Sequence, residues 1–160
     1  MIEIKAPDDY KAHLNLPSVF LAGSIEMGVA VDWQAEVSAA LAGLDVLVLN
    51  PRRAAWDASW AQSIDNPPFR EQVEWELDAL DAADVVLMYF APETKSPITL
   101  LEMGIHAAKN PAKMIVCCPE GFWRKGNVDI VCNRYNVVQV ETLDALIMKT
   151  VKTLTERKRA

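Results

Sequence analysis

The chain has 160 residues, 51% of them hydrophobic, and a mean hydropathy near zero. That length suits one domain able to bury a core, and residues 1–160 are read as a single domain. A net charge of −6 argues against binding nucleic acid polymer, which needs a basic surface, but not against one small anion held by local donors.

Apolar runs of five to seven residues fall far short of the about 20 needed to cross a membrane. Met1 to Lys11 is charged and lacks the apolar core of a signal peptide. Three cysteines, with Cys117 and Cys118 adjacent in an apolar run, give neither a disulfide framework nor metal-ligand spacing. They read as packing residues, and the expected setting is reduced and cytoplasmic.

Strand and helix signals alternate along the chain. Val19 to Ala22 reads as a first strand ending at Gly23-Ser24, and a helix is expected from about Ala30 to Leu41 with Trp33, Val37 and Leu41 on one face. Val46 to Leu49 is a second strand, ending at Asn50-Pro51. Arg52 to Pro68 has no periodicity, and a loop that long inside a compact domain is often functional. Phe69 to Ala83 reads as a helix with the stripe Phe69, Val73, Leu77 and Leu80. Val85 to Phe90 is an unbroken apolar run, as expected of a strand buried on both faces. Ser96 then supplies an N-cap and Pro97 the first helical position of a helix reaching about Lys109, where Asn110-Pro111 stops it. Met114 to Cys118 is a fourth strand, Pro119 to Cys132 a loop-rich stretch, Val137 to Val140 a fifth strand, and Thr142 to about Arg157 a closing helix.

This alternation implies an α/β three-layer sandwich with a five-stranded parallel sheet and right-handed crossovers. The strand order 2-1-3-4-5 is usual for that class and is taken from it. Ligands in such sheets bind at the carboxyl ends of the strands.

Glu102 lies in the second turn of the helix that opens at one such end. Thr99, Glu102, His106 and Lys109 share one helical stripe. Spacing by itself favours a solvent face with a Glu–His pair; position favours a carboxylate nucleophile or base. His13 and His106 are isolated and read as surface residues. Gly23-Ser24-Ile25-Glu26-Met27-Gly28 follows a strand and precedes a helix, which suits either close backbone approach to an anion or a plain tight turn. It meets neither the dinucleotide nor the Walker fingerprint. Glu76 borders the apolar stripe of its helix. Asp84 sits at a strand's amino end, away from the expected ligand edge, and reads as an ordinary surface acid. Arg52, Arg53, Trp56, Trp60, Trp123 and Arg124 are loop residues suited to a base or phosphate, although loop tryptophans more often pack a loop down.

Seven segments taken together resemble the nucleoside 2-deoxyribosyltransferase-like family, which includes nucleoside monophosphate N-glycosidases. They are Leu21-Ala22-Gly23-Ser24-Ile25, Asp32-Trp33-Gln34, Asn50-Pro51-Arg52-Arg53, Trp75-Glu76-Leu77, Ala83-Asp84-Val85, Ser96-Pro97-Ile98 through Glu102-Met103-Gly104, and Gly121 through Asp129. They span roughly residues 18 to 140, and their order and spacing are more specific than any one of them. The resemblance implies a flavodoxin-like fold and double displacement at the anomeric carbon, with Glu102 as nucleophile. A carboxylate suits an oxocarbenium-like transition state.

The resemblance also places Glu76 where relatives carry an aspartate that exchanges a proton with the base. Phe20 lies near the position of a nucleophile-orienting tyrosine and has no hydroxyl for that role. Ser24 and Ser96 match positions on the sugar 5′ side. Serine at 96, where nucleoside transferases tend to carry aspartate, suits a 5′-phosphate. Asn127, with Asp129 in the same segment, matches a residue lent across a subunit interface, which implies a homo-oligomer with a shared active site. The expected substrates are nucleosides, nucleotides or nucleobases, with no cofactor, metal or membrane partner. The leading reading is a deoxyribosyltransferase, followed by a nucleoside 5′-monophosphate N-glycosidase that transfers to water. A non-catalytic nucleotide-binding module is the third.

Overall fold

The computed structural model describes residues 1–25 and 31–157. Glu26, Met27 and Gly28 of the first turn, and the expected helix start at Ala30, lie outside the described residues. Within them the chain forms β1 (Ile2–Lys5), β2 (Ser18–Gly23), α1 (Trp33–Leu41), β3 (Leu47–Asn50), α2 (Pro67–Ala82) and β4 (Val85–Tyr89). It continues with α3 (Pro97–Lys109), β5 (Met114–Cys117), α4 (Lys125–Tyr135), β6 (Val138–Val140) and α5 (Leu143–Arg157).

All six strands are parallel, in the order β1-β3-β2-β4-β5-β6. The five expected strands take the expected order. The sheet has six strands rather than five, because Ile2–Lys5 adds an edge strand outside β3, with Ile2 opposite Leu47 and Ile4 opposite Leu49. Edge strands bury less, so Ile-Glu-Ile-Lys alternates apolar and charged residues instead of forming a solid apolar run. Charge near the N-terminus hid a period-2 signal only four residues long.

The alternation of side chains along the strands divides the core between the two sheet faces. Phe20, Leu49, Val86, Met88 and Val116 face α2, α3 and α4, where they meet Trp75, Leu80, Met103, Ala107 and Cys132. Val19, Leu21, Val48, Leu87 and Ile115 face α1 and α5, meeting Trp33, Val37, Leu41, Leu146 and Leu154. The result is a doubly wound α/β sandwich, consistent with a flavodoxin-like fold. The chain passes from β2 through α1 to β3 on one face, then back across β2 through α2 to β4 on the other. The strand order therefore switches direction between β2 and β4, and in such sheets the carboxyl ends at the switch are where ligands bind.

Three local expectations are corrected. Pro119 to Cys132 is not loop throughout: α4 starts at Lys125, and only Val128 and Cys132 of it are buried, too few apolar positions to signal a helix. The stripe of α2 is rotated. Leu77 is 41% exposed, while Gln72, Trp75, Ala79 and Leu80 are buried. The helix turns this way because Trp75 anchors it, lying edge-on to Tyr10 at 5.6 Å and donating its indole N–H to the Asp8 carbonyl at 2.9 Å. His106 is no surface residue; it is 1% exposed, on the face of α3 that packs on the sheet. Among the described residues, no helix is long and apolar enough to cross a membrane.

Candidate active site

β2 ends at Gly23, whose φ of +152° side chains rarely adopt. A Cβ there would collide with the Tyr89 carbonyl oxygen and the Trp33 indole. Only glycine lets β2 run this close to β4. The next residue, Ser24, is fully buried. Its N–H donates to the Tyr89 carbonyl at 3.1 Å, and its own carbonyl accepts from the Trp33 indole at 2.9 Å.

The Ser24 hydroxyl gathers the β4–α3 loop. Its Oγ accepts from the Ala91 N–H at 2.9 Å and lies 2.8 Å from Thr94 Oγ1 and 2.6 Å from Ser96 Oγ. Thr94 and Ser96 are 3.0 Å apart, and Thr94 donates to the Ala91 carbonyl at 2.8 Å. Three hydroxyls thus meet at the strand-order switch. Ser96 stands just before α3, with Pro97 first in the helix, but its side chain does not cap the helix. It is held in the left-handed region, φ 45° and ψ 52°, with its hydroxyl turned to Ser24 and Thr94. That backbone state is uncommon for a non-glycine residue and is held by surrounding bonds. The first N–H groups of α3 therefore get no cap from Ser96.

Glu102, one turn further along α3, is 7% exposed. The solvent-face reading of its stripe is overturned, since Thr99, Glu102 and His106 are all buried. Desolvation, with the nearby Glu76 charge second, pushes the Glu102 carboxyl from an ordinary 4.5 to about 8. Among the described residues, no donor reaches that carboxyl. Glu76 is half-buried on α2, and desolvation pushes its carboxyl up to about 7 against an opposing hydrogen bond from Gln72. Two carboxyls with raised affinity for protons, close enough for the charge of one to act on the other, can act as nucleophile and as acid–base.

The other expected site residues are less concentrated. Arg52 donates its backbone N–H to Asn50 Oδ1 at 2.9 Å and reaches Gln34 Oε1 at 3.4 Å and Asp32 at 3.7 Å, on the α1 side of the sheet. Trp56 packs edge-on to Trp60 at 5.3 Å, and Arg53 lies 5.1 Å over the Trp60 ring while pairing with Glu71 at 3.2 Å. The Arg52–Pro68 stretch is thereby folded on itself and tied to α2. Asn127 is exposed on α4. Asp129 is engaged by Lys125 at 2.9 Å and Gln139 at 2.6 Å; these hold its carboxyl below the ordinary range although burial opposes them. Phe20 is 1% exposed in the core, 6.3 Å from Trp75.

Thr94 and Gln72 belong to the site and were not singled out from the sequence. Thr94 gave no signal beyond its place in the loop before Ser96. Gln72 had one: it is a polar residue four before Glu76, on the face that proved to be buried.

Two clefts at the sheet's other end hold no comparable pair. One, of about 380 Å³, is lined by Asp81, His106, Lys109, Asn110 and Lys113. Lys113 there donates to the carbonyls of Leu80, Asp81 and Ala83, and Lys109 pairs with Asp81 at 2.7 Å. The other, of about 610 Å³, includes Asp84, which accepts from the Ser18 N–H and hydroxyl and pairs with Arg157. Asp84 is therefore more than a surface acid: it ties the start of β2 to that of β4 and to α5. The cysteines are buried and free, with burial pushing the Cys117 and Cys118 thiols up to about 12, so they are unreactive packing residues.

The fold and site define a doubly wound α/β protein with a desolvated acidic pair and a hydroxyl cluster at the strand-order switch. Residues 16–122 match the family described as nucleoside 2-deoxyribosyltransferase like, and the chain belongs to that family. The family supports an enzyme of the glycosyl transferase or hydrolase kind, acting on small nucleosides or nucleobases. Both carboxyls and all three hydroxyls lie inside the match; Asn127 and Asp129 lie beyond it. No curated protein matches the chain significantly.

Proposed function

We propose that the chain is a nucleoside 2-deoxyribosyltransferase working through a glycosyl ester on Glu102. The observation that carries this reading is the desolvated pair of buried Glu102 and half-buried Glu76, inside the family match. A Glu102 carboxylate oxygen bonds to C1′ as the bond from C1′ to the base nitrogen breaks, and the bonding pair leaves with the base. Glu76 gives its proton to that nitrogen. A second base then attacks C1′, the ester opens, and Glu76 takes the proton of the incoming N–H. Glu76 near 7 can hold or release a proton at neutral pH. Glu102, pushed to about 8, attacks from its ionised form, the minor one at neutral pH, and that desolvated charge is paired best when positive charge develops on the sugar.

The second reading is a nucleoside 5′-monophosphate N-glycosidase, with water in place of the second base. What favours a phosphorylated substrate is the Ser24–Thr94–Ser96 cluster beside the start of α3, which the Ser96 side chain does not cap; the cluster offers hydroxyl groups and no negative charge. On either reading the active unit is a homo-oligomer with Asn127 reaching the neighbouring site. Its support is the exposure of Asn127 and of an apolar stripe, Ile98, Leu101 and Ile105, on the helix that carries Glu102.

The test is incubation with 2′-deoxynucleosides and their 5′-monophosphates, with and without a different free base. A mixed product that forms only with acceptor base supports the transferase, and the better donor shows whether the 5′-phosphate is read. Base released equally without acceptor supports the glycosidase. Full activity in Glu102→Ala sinks both, and no cleavage at all leaves a nucleotide-binding module.

A further inference from the structure

We propose that Gln72 is a positioning residue for the acid–base step: its amide holds Glu76 by one carboxyl oxygen and leaves the other to carry the exchanged proton. This rests on the acid–base role of Glu76 given above.

Gln72 is 3% exposed on the buried face of α2, beside Trp75, Ala79 and Leu80. An amide in such surroundings is costly unless hydrogen-bonded. Its Nε2 donates to the Pro51 carbonyl at 2.9 Å and to Glu76 Oε1 at 2.8 Å, so both amide hydrogens are engaged. The Pro51 carbonyl can only accept. Turning the amide over would set Gln72 Oε1 against that carbonyl oxygen, two acceptors in contact. Pro51 therefore fixes the nitrogen toward Glu76, and Glu76 always meets a donor on Oε1.

A donor on Oε1 favours the ionised carboxyl and leaves Oε2 as the oxygen that carries the proton in the acid form. It works against desolvation, which pushes Glu76 upward, while Glu102 on α3 is the other titrating group of the site, itself raised in part by the Glu76 charge. Gln72 Oε1 is itself buried without a hydrogen-bond partner among the described residues. A fold that leaves an amide oxygen unsatisfied in order to keep Nε2 on an acid breaks a local rule at a functional site. Pro51 also begins the loop after β3, so the same amide ties the acid to that loop's root.

Two variants test the assignment. Gln72→Met keeps the length and removes the donor; Gln72→Asn keeps the amide but is one methylene too short to reach both partners. In protein labelled with carbon-13 at glutamate, the Glu76 carboxyl signal is identified by its loss in Glu76→Gln and followed against pH. Its midpoint is expected to rise by about one pH unit in either variant. An unmoved midpoint overturns the proposal. This readout needs no turnover, so a protein with no base exchange but a displaced midpoint would refute the reaction proposed above and keep the Gln72–Glu76 coupling.

In the base-exchange assay, Gln72→Met is expected to lower kcat about ten-fold with KM within about three-fold. On a Glu76→Gln background the same change should alter kcat less than about two-fold, because a residue acting through Glu76 has nothing left to act on. Losses that add in full would show that Gln72 only supports the fold.

Discussion

Replacing Glu102 by glutamine keeps the side chain's shape and removes its charge. In the native chain that carboxyl is buried, and desolvation followed by the Glu76 charge sets it at about 8 instead of 4.5. Below about pH 4.5 it is neutral both folded and unfolded, and burial carries no charge penalty. As the pH climbs, the unfolded chain releases its proton while the folded chain keeps it, so stability falls; above about pH 8 the loss is complete and constant. The interval between 4.5 and about 8 corresponds to a ceiling of about 5 kcal/mol. Relaxation and water entry reduce this, and about 2–4 kcal/mol is expected. Glutamine does not titrate, so Glu102→Gln should escape the decline. The assay is urea unfolding of both proteins from about pH 4.5 to 9, with ΔG extrapolated at equal m. Titrating groups away from the pair are common to both and cancel, and repeating the comparison on a Glu76→Gln background removes the one group coupled to Glu102. The variant should gain on the native chain as pH rises, level off above about pH 8, and lose base exchange. A stability difference that stays flat, or shrinks with pH, would refute the burial argument and with it the raised Glu102.

Two further predictions follow from geometry. Gly23→Ala places a Cβ against the Tyr89 carbonyl and the Trp33 indole at φ +152°, and should cost about 2–5 kcal/mol in urea unfolding; near-native stability would show that β2 can move away from β4. If Asn127 serves the neighbouring subunit, inactive Glu102→Ala and inactive Asn127→Ala proteins should regain part of their activity when unfolded and refolded together. Mixtures that stay inactive would confine the site to one chain.

Much of the fold was legible because central parallel strands are buried on both faces and write themselves as solid apolar runs. Val85–Phe90 and Met114–Cys118 needed no tertiary information. Ile2–Lys5 escaped because an edge strand needs apolar residues only at alternate positions and has too few of them to show a period. The start of α4 escaped because its buried face holds little more than Val128 and Cys132. The rotation of α2 was settled by Trp75 and its partners Tyr10 and Asp8, some 65 residues away along the chain. Periodicity gives a stripe; only packing decides which edge of it faces the sheet.

The same division holds for the site. The sequence by itself offered Glu102 in a helix that opens beyond a strand's carboxyl end, and its family resemblance added Glu76 on the preceding helix, Ser24 after one strand and Ser96 before that helix as candidates. It could not determine that Glu102 is buried rather than solvent-facing, and spacing alone pointed the wrong way. Burial depends on the neighbours a side chain meets, and the shift of a carboxyl toward neutral pH depends on burial. Tertiary structure alone decided that Ser96 turns its hydroxyl from its own helix to Ser24 and Thr94, and that Gln72 aims its amide at Glu76. A hydrogen bond is a matter of tenths of an ångström and of direction. Residue order sets which groups can meet, and only the packed chain fixes which of them do.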